Sequence, residues 1–171
     1  MTDRPADGEF APFYGRYVGR VRADRLGDAL RLPGLAALVR GLDPSLGAHR
    51  YAPGKWTLAG VVQHVIDTER IFATRALRIA RGDQTALPGF DEVAFGEAMP
   101  QRPLADLADE LDRVRASTLD LFGSLSDTAL RRVGTASGAA LSARAAGWIL
   151  AGHERHHAAV VRERYLDGGD A

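Results

Sequence analysis

The stretch H-E-R-H-H at residues 153–157 is the part of this sequence best equipped for chemistry. A helix turns by about 100° per residue, so His153 and His157 stand about 40° apart, one turn along the same face. That i, i+4 spacing lets two imidazoles reach one metal ion. Ile149, Val160 and Val161 share their face, which is therefore expected to point inward. His156 is an alternative partner for His153 through i, i+3 spacing. His64, on an earlier helical stretch, falls between Val61 and Ile71 at helical spacing and is also expected to face inward. One histidine from one helix and two from another make a three-histidine site, with a coordination position left for water or substrate. For each histidine the competing reading is a hydrogen-bonded core residue or a solvated face. Spacing alone does not bring the two helices together. His49 falls in a loop.

H-E-x-x-H is also the signature of zinc proteases, with Glu154 as the would-be general base. The metzincin form of that signature needs a glycine three residues after the second histidine and a further ligand three beyond it. Here those positions are Val160 and Glu163, on a helix that continues through A-A-V-V-R-E-R-Y-L. Met1 and Met99 are the only methionines, and neither follows as a Met-turn. The protease reading therefore fails. Glu154 becomes a solvent-facing or ligand-supporting residue rather than a base.

These residues must be positioned by helices. Apolar residues at 58, 61, 62, 65, 66, 72, 76 and 79 recur with a period near 3.6 after a Thr57 cap, with Gly82 as terminator. Residues 24–43 are helical with an interruption at Pro33-Gly34, and 43–55 read as loop. An irregular crossover over 82–103 leads to a third helix, 103–125, and S-D-T-A-L-R-R-V reads as one short helix. G-T-A-S-G-A-A reads as loop, and 141–166 is the last long helix, ended by Gly168-Gly169. No convincing strand is found. The fold class is all-α, a four-helix bundle, and the long crossover lets helices two and three run parallel. Residues 1–171 form a single domain, with 1–12 a loose lead-in.

Composition narrows the function classes. Twenty-two basic and 22 acidic residues balance, so no general attraction to nucleic acid or acidic membrane is implied. With no cysteine, a thiol nucleophile and cysteine-held metals are excluded, leaving histidine and carboxylate as ligands. The start M-T-D-R-P-A-D-G-E-F lacks the apolar core of a leader, and no apolar run nears the roughly 20 residues of a membrane span. A cytoplasmic location is expected. Asp67, three residues after His64, is a possible base or a support for a ligand histidine, or simply a surface partner of Arg70. Glu69 and Arg75 are similar cases, while Trp56 and Trp148 read as core anchors before substrate walls.

K-W-T-L-A-G-V-V-Q-H-V-I-D-T-E-R, R-A-L-R-I-A-R-G-D followed by L-P-G-F-D-E, and A-G-H-E-R-H-H-A-A-V-V-R-E-R-Y-L occur in that order. Together with 103–130 they resemble the DinB superfamily, in its DinB/YfiT-like branch, over most of 51–166. The resemblance implies an up-down-down-up four-helix bundle, often dimeric. It implies a divalent metal, nickel or zinc, on His64, His153 and His157, with His156 outside the set. It further implies a metal-dependent enzyme: a transferase using a low-molecular-weight thiol, or a hydrolase. The ion could activate either a thiolate or a water, so the histidines do not choose between them. The alternative is a non-catalytic, dimeric, metal-binding stress-associated protein.

Overall fold

A computed structural model describes residues 3–31 and 34–166; Met1, Pro33 and Gly168-Gly169, invoked above, lie outside them. A short helix α1 (Gly15–Val18) is followed by α2 (Leu26–Arg31) and α3 (Leu35–Arg40), on either side of the expected break. Next come α4 (Leu58–Ala80), the short α5 (Glu92–Glu97), α6 (Leu104–Gly123) and α7 (Asp127–Leu130). An antiparallel pair, β1 (Val133–Ala136) and β2 (Ala139–Ser142), leads into α8 (Ala143–Val160), and one π-helical stretch, Val161–Leu166, closes the described chain.

The caps explain several boundaries. Thr57 accepts the Gly60 N–H at 3.0 Å, Ser126 caps α7, and Ser142 accepts the Ala145 N–H at 3.0 Å to start α8. Every apolar position that defined the period of α4 is buried.

The direction of each bundle helix follows from contacts at its ends. α4 and α6 begin together: Gly47 packs on Leu104, and the Leu58 N–H bonds to His49 at 2.9 Å. They also end together, where Arg132 donates to the Ala80 carbonyl and Gly134 lies against Ile79. α8 runs the other way, since the Tyr165 hydroxyl near its end reaches the Trp56 carbonyl ahead of α4, at 2.7 Å. The broken pair α2–α3 runs with α8: Leu26 packs on Gly147, and Leu35, further along the pair, meets Glu154, further along α8. This is the up-down-down-up order.

Two expectations need correction. Residues 133–142, read as the end of a short helix, a loop and the start of the last helix, form a β-hairpin. Ser137 (φ 52°) and Gly138 (φ 77°) both adopt the left-handed conformation of a two-residue hairpin turn. Its strands are four residues long, too short to declare an alternating pattern. Leu87 of the crossover bonds to it on both sides, through Thr135 and Ser137, at 2.9 Å each. Residues 3–12 are not loose: Arg4 donates to the carbonyls of Val18 (2.9 Å) and Val21 (2.6 Å). Glu9 is gripped by Arg144 and by the Ser142 hydroxyl.

The core is split in two. One apolar cluster includes Leu30, Phe72, Phe122, Trp148 and Ala151; the other includes Leu35, Ile66, Leu111 and Ala158. The stretches of α4 and α8 between them carry the buried polar side chains Thr68, Glu69, His153 and Glu154, and Arg115 of α6 reaches in among them half-buried.

Candidate metal centre

His64 is in the second turn of α4, so its place is set by the Thr57 cap. His153 and His157 occupy successive turns of α8. The antiparallel crossing of α4 and α8 brings the three together. Nε2 of His64 is 3.0 Å from Nε2 of His153, and Nε2 of His157 is 3.1 Å from that same atom. Among the described residues this is the one group of three potential ligands whose donor atoms all fall within 4.8 Å of one another. Nitrogens bound at about 2.1 Å from a common ion stand about 3.0–3.4 Å apart, so the spacing fits metal coordination.

Burial keeps the rings neutral. It pushes the His64 imidazole down to about 4, with His156 adding to the effect. It pushes His157 down to about 3, helped by His64 and His156, and His153 well below its ordinary value, helped by His157 and His64. Three neutral imidazoles facing one point satisfy one another only in part, because His153 Nε2 is shared between His64 and His157 and carries either one proton or one lone pair. Nδ1 of His157 is also buried with no hydrogen-bond partner in the protein. A shared cation resolves the convergence.

His156 is placed outside the group, half-buried against Tyr17 and His157. His49 is exposed beside Tyr165. Asp67 turns away from the imidazoles: it accepts from Gln63 at 2.9 Å and lies 4.0 Å from Arg70. Trp56 packs on the His64 ring at 4.9 Å between centroids, whereas Trp148 is fully buried in the core.

Glu154 corrects the reading of a solvent-facing or ligand-supporting residue. It is buried, accepts the Leu35 N–H at 2.7 Å, and pairs with Arg115 at 2.7 Å. Arg115 forks onto both oxygens of Glu69, each at 2.8 Å, and donates to the Leu30 carbonyl at 3.0 Å. Burial opposes the charge on Arg115, but the Glu154 and Glu69 carboxylates outweigh it and hold the guanidinium's pKa up. The H-E-x-x-H glutamate thus caps the start of α3. A side chain at Gly34 would have to displace the Glu154 carboxylate, because a Cβ there would collide with it.

The wall of the site includes residues that sequence reasoning missed. The backbone of α1 lies directly on α8 at Gly152, where a Cβ would run into the Tyr17 carbonyl. This brings the Tyr17 ring edge-on to His153, with centroids 5.2 Å apart. An inner pocket of 140 Å³ opens beside His64 and His153, walled by Tyr14, Tyr17, Phe72 and Phe90, with Thr68 inside and Glu92 at its rim. The aromatic run P-F-Y-G-R-Y at 12–17 was the available signal. An outer pocket of 400 Å³ adjoins His157 and His156, lined by Tyr51, Trp56 and Tyr165. Helix α5 separates the mouths, giving Glu92 to the inner pocket and Val93 to the outer.

Comparison with known proteins agrees with this architecture. No curated protein matches the sequence. Among solved structures, YfiT from Bacillus subtilis superposes with a TM-score of 0.67 at 18% identity, over 95% of this chain and 91% of YfiT. YfiT is described as a probable metal-dependent hydrolase with an unusual four-helix bundle topology, and at this identity the likeness establishes the fold. The DinB superfamily profile matches residues 32–161, and the chain belongs to the DinB superfamily.

Proposed function

We propose that this protein is a metal-dependent enzyme acting on a small molecule, with a divalent ion held by His64, His153 and His157. The observation that carries the proposal is the convergence of three neutral imidazoles, His64 and His153 buried and His157 half-buried, beside an open pocket. Three imidazoles suit zinc or nickel. When bound, such an ion lowers the pKa of a coordinated water or thiol and polarises a substrate oxygen.

The protein's own residues supply the rest. Tyr14, Tyr17, Phe72 and Phe90 orient an apolar substrate body and exclude water from it. Glu92, exposed at the rim, accepts a proton from the attacking group and passes it to solvent. Hydrolysis is the first reading, in keeping with the description of YfiT. Transfer of a low-molecular-weight thiol is the second. It is favoured by the outer pocket on the His157 side, which gives a second substrate its own place, and it needs no protein cysteine. The same proposal includes a homodimer, for which exposed Val93 and Phe95 of α5 offer apolar surface.

The test is metal analysis followed by turnover of ester, amide and electrophile panels, with and without added small thiols. One ion per chain and metal-dependent product support the enzyme, and dependence on thiol selects the transferase. A metal-bound protein with no turnover supports the non-catalytic alternative. Unchanged behaviour of a His64→Ala, His153→Ala double variant overturns the proposal. Sedimentation velocity tests the dimer.

A further inference from the structure

Thr68 lies one turn after His64 on the same face of α4 and lines the inner pocket. It is 4% exposed, and its hydroxyl has no hydrogen-bond partner in the protein. A helical threonine normally returns its hydroxyl to a carbonyl of the preceding turn. Here that bond is absent, so a pocket-lining residue carries a buried hydroxyl that the protein leaves unpaired. Leaving such a group unpaired costs free energy, and a bound ligand atom removes that cost.

The pocket's size limits the ligand. At 140 Å³ it is close to a cavity of about 150 Å³ that accepts benzene. Its walls are mostly rings: Tyr14 stands edge-on to Phe72 with centroids 5.6 Å apart, and Phe90 closes the side towards α5. Behind Phe72 and Phe90, Arg75 is buried and bonded to the Pro88 carbonyl (2.8 Å) and the Ser137 hydroxyl (3.0 Å). That ties the hairpin tip to the pocket wall.

We infer that the inner pocket is a recognition site for a single-ring aromatic or similarly sized apolar group bearing one hydrogen-bonding substituent, and that Thr68 binds that substituent while the reacting end of the molecule faces the histidines. This rests on the metal-site proposal above. Thr68 is a positioning residue: it fixes where the substrate sits and does not touch the reacting atoms.

Benzohydroxamate, whose oxygens ligate divalent ions, and its three ring-hydroxylated isomers serve as probes. Each is titrated by calorimetry into metal-loaded wild type, Thr68→Val and Thr68→Ser, after metal content has been measured. At least one hydroxylated isomer is expected to bind wild type about tenfold more tightly than the parent, a gain typical of one well-made hydrogen bond. That advantage is lost in Thr68→Val and kept in Thr68→Ser, with metal content equal in all three. The ligand-free Thr68→Val protein melts no lower than wild type, since no bond is lost; a purely structural threonine would lower it. The inference is overturned if no isomer gains affinity, or if the gain survives in Thr68→Val. A chain that takes up no ion overturns the metal-site proposal as well, and that failure is visible before any probe is added.

Discussion

The carboxylate of Glu154 accepts the backbone N–H of Leu35 at 2.7 Å, across the break between α2 and α3. The residue that would be the base of a zinc protease is therefore committed to a helix start and to Arg115. Glu154→Ala removes a cap and leaves Arg115 with one carboxylate fewer in a buried setting. A loss of about 3–5 kcal/mol is expected, read as a lower urea midpoint. The folded fraction keeps its metal, because Glu154 is not among the converging donors. A stable variant that has lost turnover would restore a catalytic role to Glu154.

The pH dependence of the metal-free protein follows from the depressed histidines. Their folded pKa values, about 4 for His64 and about 3 for His157, lie below the ordinary histidine value of 6.5. Above pH 6.5 both folded and unfolded states hold these rings neutral, and the contribution is flat. As pH falls from 6.5 towards 4, the unfolded chain takes up protons that the folded chain refuses. Stability therefore drops, by at most about 1.4 kcal/mol per pH unit for each histidine. Urea melts of chelator-treated protein from pH 8 to pH 4.5 should show this slope, and a His64→Ala, His157→Ala variant should flatten it. An equal slope in that variant would show that these rings are not held neutral.

Gly152 is the contact point between α1 and α8. Gly152→Ala forces the Tyr17 backbone away and takes its ring from His153. Destabilisation of about 1–3 kcal/mol is expected, typical of overpacking. Limited proteolysis should cut near residues 12–22 faster than in wild type. Unaltered cleavage would mean that the α1–α8 contact yields without displacing the segment.

How much of this was legible in the sequence depended on whether its cause was local. Helix α4 was, because its cap at Thr57, its period and its stop at Gly82 are neighbours along the chain. The separation of α2 from α3 was legible too, but not the contact that holds the start of α3. Glu69, Arg115 and Glu154 lie on three different helices, and nothing in the periodicity of one helix shows an ion pair made with another. The hairpin was missed because its strands are brief, although the Ser137-Gly138 turn signal was present. The grouping of His64 with His153 and His157 was suggested by their inward faces and supported by family resemblance, since spacing could pair only the last two. The N-terminal wall was missed because composition, read alone, treats Arg4 and Glu9 as solvent-facing charges. The structure spends them on Val18, Val21 and Arg144.

The central claim is that His64, His153 and His157 hold one ion. Anomalous diffraction from crystals grown with nickel or zinc tests it most directly. The account predicts a single strong peak within about 2.0–2.2 Å of all three Nε2 atoms, with a remaining coordination position facing a pocket. A peak elsewhere, or none at the histidines with metal in excess, would contradict it.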